Sequence, residues 1–139
     1  MFRNVLIPVD LSEKGAVAIQ AAIRVTDPME DSITLLHVIE TLQDAEYDEL
    51  EAFYQRIREK AEKALARWTD DLSARGFEVG VEIVFGRRGP EILRYADERN
   101  VDLIVMTSHA LDRANPAEEF GALSHQIALL SRCSILLAR

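Results

Sequence analysis

The chain holds one cysteine, Cys133, and only three histidines, His37, His109 and His125, among 139 residues. A single thiol excludes an internal disulfide and any multi-cysteine metal site. Cys133 opens an apolar stretch and is expected to be an inert buried thiol. The histidines do not fall at metal-ligand spacing, so no zinc centre is expected. No apolar run approaches the roughly 18 residues of a membrane span. After Met1, the apolar run Val5-Leu6-Ile7 meets Pro8 at once, so no signal peptide is expected and the cytoplasm is the simplest location. Positive charge is also scarce. There are 16 basic against 24 acidic residues, net −8, which argues against nucleic acid or an anionic membrane as partner. Ser12, Ser108 and Ser124 do not stand in Gly-x-Ser-x-Gly, so the strained nucleophile turn of a hydrolase is missing. No nucleophile pairs with a base and no carboxylate set suits two metals, so the chain is not expected to be an enzyme.

What is present is a core-forming composition of 48% hydrophobic and 29% charged residues. A chain of this length buries roughly two-thirds of its unfolded surface and favours one domain, here residues 1–139. Residues 2–9 read as a strand, because Val5-Leu-Ile-Pro-Val is apolar throughout, as a strand covered on both faces would be. Ser12 is the expected N-cap of a helix whose Ala16, Ile19, Ala22 and Ile23 recur at helical spacing. Ser32 to Ile39 is a second strand. A long helix from near Asp44 carries Leu50, Phe53, Ile57, Ala61, Ala64, Leu65, Trp68 and Leu72 on one apolar face and ends at Gly76. Glu78 to Phe85 alternates as a third strand, with Val79, Val81, Ile83 and Phe85 on one side. A turn, Gly86-Arg-Arg-Gly-Pro90, leads into a helix burying Ile92, Leu93 and Ala96. Asp102 to Met106, a helix over 117–130 and Cys133 to Ala138 complete the chain. Strands alternating with helices predict an α/β fold with a parallel sheet and right-handed crossovers. In such a sheet a ligand sits where a strand's carboxyl end meets a helix start. Val101-Asp-Leu-Ile-Val-Met-Thr-Ser-His-Ala110, followed by Gly121-Ala-Leu-Ser-His125, reads as that kind of strand, loop and helix start.

The whole chain resembles the universal stress protein family. The matching pieces are Val5-Leu-Ile-Pro-Val-Asp10-Leu-Ser12, Leu36-His-Val38, Gly86, Ile92-Leu93, Asp102-Leu-Ile-Val-Met-Thr-Ser-His109, Gly121-Ala-Leu-Ser124 and Cys133-Ser-Ile-Leu-Leu137. The resemblance implies an open, Rossmann-like five-stranded parallel sheet, of the adenine nucleotide α-hydrolase-like kind, in order 3-2-1-4-5 with helices on both faces. It implies a homodimer and, in one branch of the family, ATP held by Gly-x2-Gly-x9-Gly-Ser/Thr. On this chain it places Asp10, with Pro8 and Val9 before it, at the adenine or ribose, Val38 on adenine, and Met106, Thr107, Ser108, His109 and Ala110 beside the nucleotide; the alternatives are that Asp10 bonds its own loop at the helix start and that His109 bonds loop backbone. Gly121, Ala122, Leu123 and Ser124 would stand at the phosphates, Ser124 facing the pocket or capping locally.

The sequence departs from that pattern where phosphate would bind. Thr107 and Ala110 replace the first two glycines, ten residues rather than nine separate Ala110 from Gly121, and Ala122 replaces the final Ser/Thr. Thr107 is β-branched and poorly suited to close phosphate approach, and Ala122 removes a hydroxyl donor. The stretch from Leu111 to Glu119 adds three acids against one Arg, which repel a triphosphate. The expected function is therefore a stress-response regulatory protein with weak or absent ATP binding, and the alternative is a module for ATP or AMP. The last strand is expected at the sheet edge, where self-association would cover it. His37 is expected to pack at a strand end. Arg87 and Arg88 are expected to solvate a loop, the alternative being contact with a phosphate.

Overall fold

Apolar runs bounded by turn residues form the strands of the computed structural model, which describes residues 2–41, 47–108 and 123–139. The elements are β1 (Asn4–Pro8), α1 (Gly15–Val25), β2 (Ser32–Glu40), α2 (Tyr47–Ala74), β3 (Glu78–Gly86), α3 (Arg88–Glu98), β4 (Leu103–Thr107), α4 (Leu123–Leu130) and β5 (Ser134–Ala138). The strands form one five-stranded sheet in order β3-β2-β1-β4-β5. Every pairing is parallel, with Val5 opposite both Ile33 and Leu103. The fold and strand order are those the resemblance implied.

Alternation along the strands divides the core into two layers. Val5, Ile7, Ile33, Leu35, Leu103 and Val105 face one side, against Ala18, Ile19 and Ala22 of α1 and Leu65 and Leu72 of α2. Leu6, Leu36, Ile104 and Met106 face the other, against Ile92 and Ala96 of α3 and Ile127 of α4. Val5, Leu6 and Ile7 are all fully buried, so consecutive residues of β1 serve opposite layers. Burying each such side chain contributes on the order of 1.5–3 kcal/mol. Glycine is required at two helix ends. Gly76, at φ 91°, follows α2 in the left-handed conformation, where a side chain is strained. Gly15 opens α1 so close to Trp68 that an added Cβ would lie 2.5 Å from the ring's Cη2.

Three local expectations need correction. Ser12 does not cap α1. The cap residue is Lys14, with no side-chain bond, because Leu11 turns the chain through φ 73° and delays the helix. Ser12 Oγ instead accepts from the Lys14 N–H at 3.3 Å. On α2 the aromatic residue directed inward is Tyr54, whose ring meets Phe85 edge-on at 5.7 Å, while Phe53 is 46% exposed. Both residues fit a broad apolar stripe, and the position of Phe85 selects between them. On β3, Val81 is 39% exposed because β3 is an edge strand, flanked in the sheet by β2 alone.

Candidate functional site

In this strand order, β1 and β4 are neighbours whose following helices cover opposite faces, so a crevice opens beyond their carboxyl ends. A cavity of about 230 Å³ lies there. Pro8, Val9 and Asp10 from the end of β1 line it, with Val38 of β2, Met106 and Thr107 of β4, and Leu123 and Ser124 at the start of α4. These expected site residues, distant in sequence, therefore share one wall. Ser108 is buried, and its N–H donates to the Ala138 carbonyl of β5 at 2.7 Å, outside the lining. His109, Ala110, Gly121 and Ala122 lie outside the described residues.

The end of β1 is held in place by β2. The Val9 N–H donates to the Leu36 carbonyl at 2.9 Å, and His37 Nδ1 lies 2.8 Å from the Val9 carbonyl. A carbonyl only accepts, so Nδ1 carries the proton and Nε2 of a neutral ring is an acceptor. His37 thus fixes the strand end and also lines the cavity. Its expected packing role holds, and the lining adds to it.

Asp10 follows directly. Its Oδ1 accepts from the Ser12 N–H at 2.9 Å and the Ser12 hydroxyl at 2.6 Å, closing a turn around Leu11. That turn keeps a non-glycine residue in the left-handed region, a conformation costing about 1–2 kcal/mol. Partial burial pushes the Asp10 carboxyl up, but the Ser12 hydroxyl and N–H, aided by the positive charge of Arg88, hold it below its ordinary value. Asp10 is thus an anchored carboxylate at the cavity edge, suited to accept hydrogen bonds from ligand hydroxyls or amines.

Thr107 performs a role that its sequence position did not suggest. Its hydroxyl donates to the Lys14 carbonyl and accepts from the Ala18 N–H at 3.1 Å. Lys14 and Ala18 stand four apart, the spacing of an ordinary helical bond. The Thr107 hydroxyl is inserted between them and ties the end of β4 to the first turn of α1. Neighbouring donors are engaged as well: Gly15, Ala16 and Val17 N–H groups donate to the Ser12, Glu13 and Lys14 carbonyls at 3.1 Å.

The sequence did not place Lys14, Gly15, Leu36 or Ile92 at the site, and it favoured a solvated loop for Arg88; all five line the cavity. Arg88 also pairs with Glu40 at 3.4 Å. Gly86-Arg-Arg-Gly-Pro90 was the available signal, since a basic turn opening a helix after a strand's carboxyl end faces the same crevice. Among the described residues no cluster of three or more His, Cys, Asp or Glu side chains could hold a metal. None of the described helices is long and apolar enough to cross a membrane.

A family model described as the universal stress protein family matches residues 1–139. Universal stress protein YxiE of Bacillus subtilis is 28% identical over 150 residues, covering all of both chains. Universal stress protein MJ0577 of Methanocaldococcus jannaschii is 26% identical over 78% of each chain. Its solved structure superposes with a TM-score of 0.80, covering 99% of this chain and 96% of that one. A universal stress protein from Archaeoglobus fulgidus, solved in complex with dAMP, superposes at 0.68 with 13% identity, covering 100% of this chain and 98% of that one.

Proposed function

Because the chain belongs to the universal stress protein family, we propose that it is a stress-response regulatory protein that binds an adenine nucleotide in the β1/β4 cavity, with weak affinity for ATP. The observation carrying this reading is the cavity itself, which the anchored Asp10 carboxylate lines together with the apolar Val38, Met106 and Ile92. An apolar wall with a few fixed polar groups suits a flat heterocycle bearing hydroxyls. Weak ATP binding follows from Thr107. Its hydroxyl already donates and accepts within the protein, so the position of the first glycine contributes rigidity rather than phosphate contact.

Calorimetry with ATP, ADP and AMP, with and without Mg²⁺, tests the reading. Heat and a thermal shift are expected for at least one nucleotide. Silence for all of them at millimolar concentration rejects it. Regulation by binding rather than turnover is the function proposed.

The regulatory form is a homodimer joined along β5. Among the described residues this strand stands last in the sheet and pairs with β4. Shortly before it in the chain, Leu129 and Leu130 at the end of α4 are 79% and 66% exposed. A second copy pairing there would cover both the edge and these side chains. Light scattering at micromolar concentration should give twice the 15.7 kDa of one chain.

A further inference from the structure

We propose that Lys14 and Arg88 form a phosphate grip in the β1/β4 cavity, making it selective for a nucleoside monophosphate over both the bare nucleoside and the triphosphate. The proposal rests on the nucleotide reading above and adds which residues hold the charged end.

A phosphate normally finds free backbone N–H groups at a helix start. That source is closed at α1. The N–H groups of Gly15, Ala16, Val17 and Ala18 already donate to Ser12, Glu13 and Lys14 carbonyls and to Thr107 Oγ1. An anion beside this turn must be met by side chains. Lys14 and Arg88 both line the cavity, one at the N-cap of α1 and the other at the start of α3. Arg88 and Asp10 line the same cavity, and the guanidinium is held at its rim by Glu40 at 3.4 Å. Lys14 is held from behind, because its carbonyl accepts the Thr107 hydroxyl. Thr107 is thus a positioning residue for Lys14.

Charge decides how many phosphates suit the grip. One phosphate carries about −1.5 to −2 near pH 7, which two cations match. The further phosphates of ATP would bring uncompensated charge towards Asp10 and Glu40. Glu40 occupies Arg88 at 3.4 Å, with both side chains about half exposed at 59% and 49%. Exposed pairs of this kind contribute little, so a ligand phosphate can replace the Glu40 carboxylate.

The test is calorimetry on the full chain at fixed ionic strength, with adenosine, AMP and ATP as probes. AMP should bind at least about tenfold tighter than adenosine, the scale of a hydrogen bond to a charged group. Arg88→Gln and Lys14→Gln should each weaken AMP by about tenfold while moving adenosine far less. Glu40→Gln should tighten AMP severalfold, because it frees Arg88. Thr107→Val should weaken AMP less than Lys14→Gln does. AMP and adenosine binding equally, or falling together in the Arg88 and Lys14 variants, overturns the grip and leaves nucleoside binding intact. Absence of binding by all three probes overturns the proposed function itself.

Discussion

The two ends of β1 are built for opposite purposes. At its amino end the chain is stitched to β4 and β2. The Asp102 carboxylate accepts from the Arg3 N–H at 2.8 Å and the Asn4 N–H at 3.0 Å. The Asn4 amide donates to the Arg99 and Asn100 carbonyls, and the Ser32 N–H donates to the Arg3 carbonyl. At its carboxyl end the strands part around the cavity, and Asp10 accepts from Ser12, two residues on. Both ends use an aspartate to accept two donors. One aspartate joins residues 98 and 99 positions apart in sequence, while the other shapes its own turn at the cavity. Long-range bonding closes one end, and local bonding lets the other stay open.

Substitutions should separate the ends. Asp102→Ala has the largest expected effect. It removes two charge-assisted bonds and should lower stability by about 2–3 kcal/mol in urea unfolding. Nucleotide affinity of the folded protein should not change, and a loss of affinity would break the division between the ends. Thr107→Val comes next. It keeps shape but deletes the inserted hydroxyl, costing about 1–2 kcal/mol, because Lys14 and Ala18 can partly bond each other again. Here stability and AMP affinity should fall together. For the same reason Thr107→Gly alone should not raise ATP affinity, since it loosens the start of α1 as it clears the loop. Asp10→Asn has the smallest effect on stability. A carboxyl whose folded value lies below 3.8 stabilises the fold above that pH and loses this contribution as pH falls through the folded value. Urea midpoints of wild type and Asp10→Asn should therefore differ by a constant amount at neutral pH and converge in acid. A difference that grows in acid would mean that Asp10 is not held by Ser12.

How much of this was legible in the sequence follows from the range of each interaction. Parallel strands buried on both faces leave unbroken apolar runs, so Val5-Leu-Ile and Leu103-Ile-Val announced themselves, and alternation with helices gave the sheet. The wall of the cavity was reachable through Asp10, Val38 and Met106, because those residues carry the family's pattern. The Thr107 clamp was not legible. Its partners stand 93 and 89 residues away, and nothing in a threonine after an apolar strand says which backbone groups its hydroxyl will meet. The same holds for His37, which read as strand-end packing while the carbonyl it meets lay 28 residues away. Ser12 was misread because capping preference is local, whereas the Asp10 turn with Leu11 in the left-handed region moved the helix start beyond it.

The contact between Gly15 and Trp68 has an optical consequence. Gly15 lines the cavity on one side and meets the indole ring on the other, and Trp68 is the chain's only tryptophan. A ligand that shifts the first turn of α1 must therefore change the surroundings of the sole indole fluorophore. The molecule carries its own emission reporter one residue's thickness from the cavity, and titrations can be read from unlabelled protein.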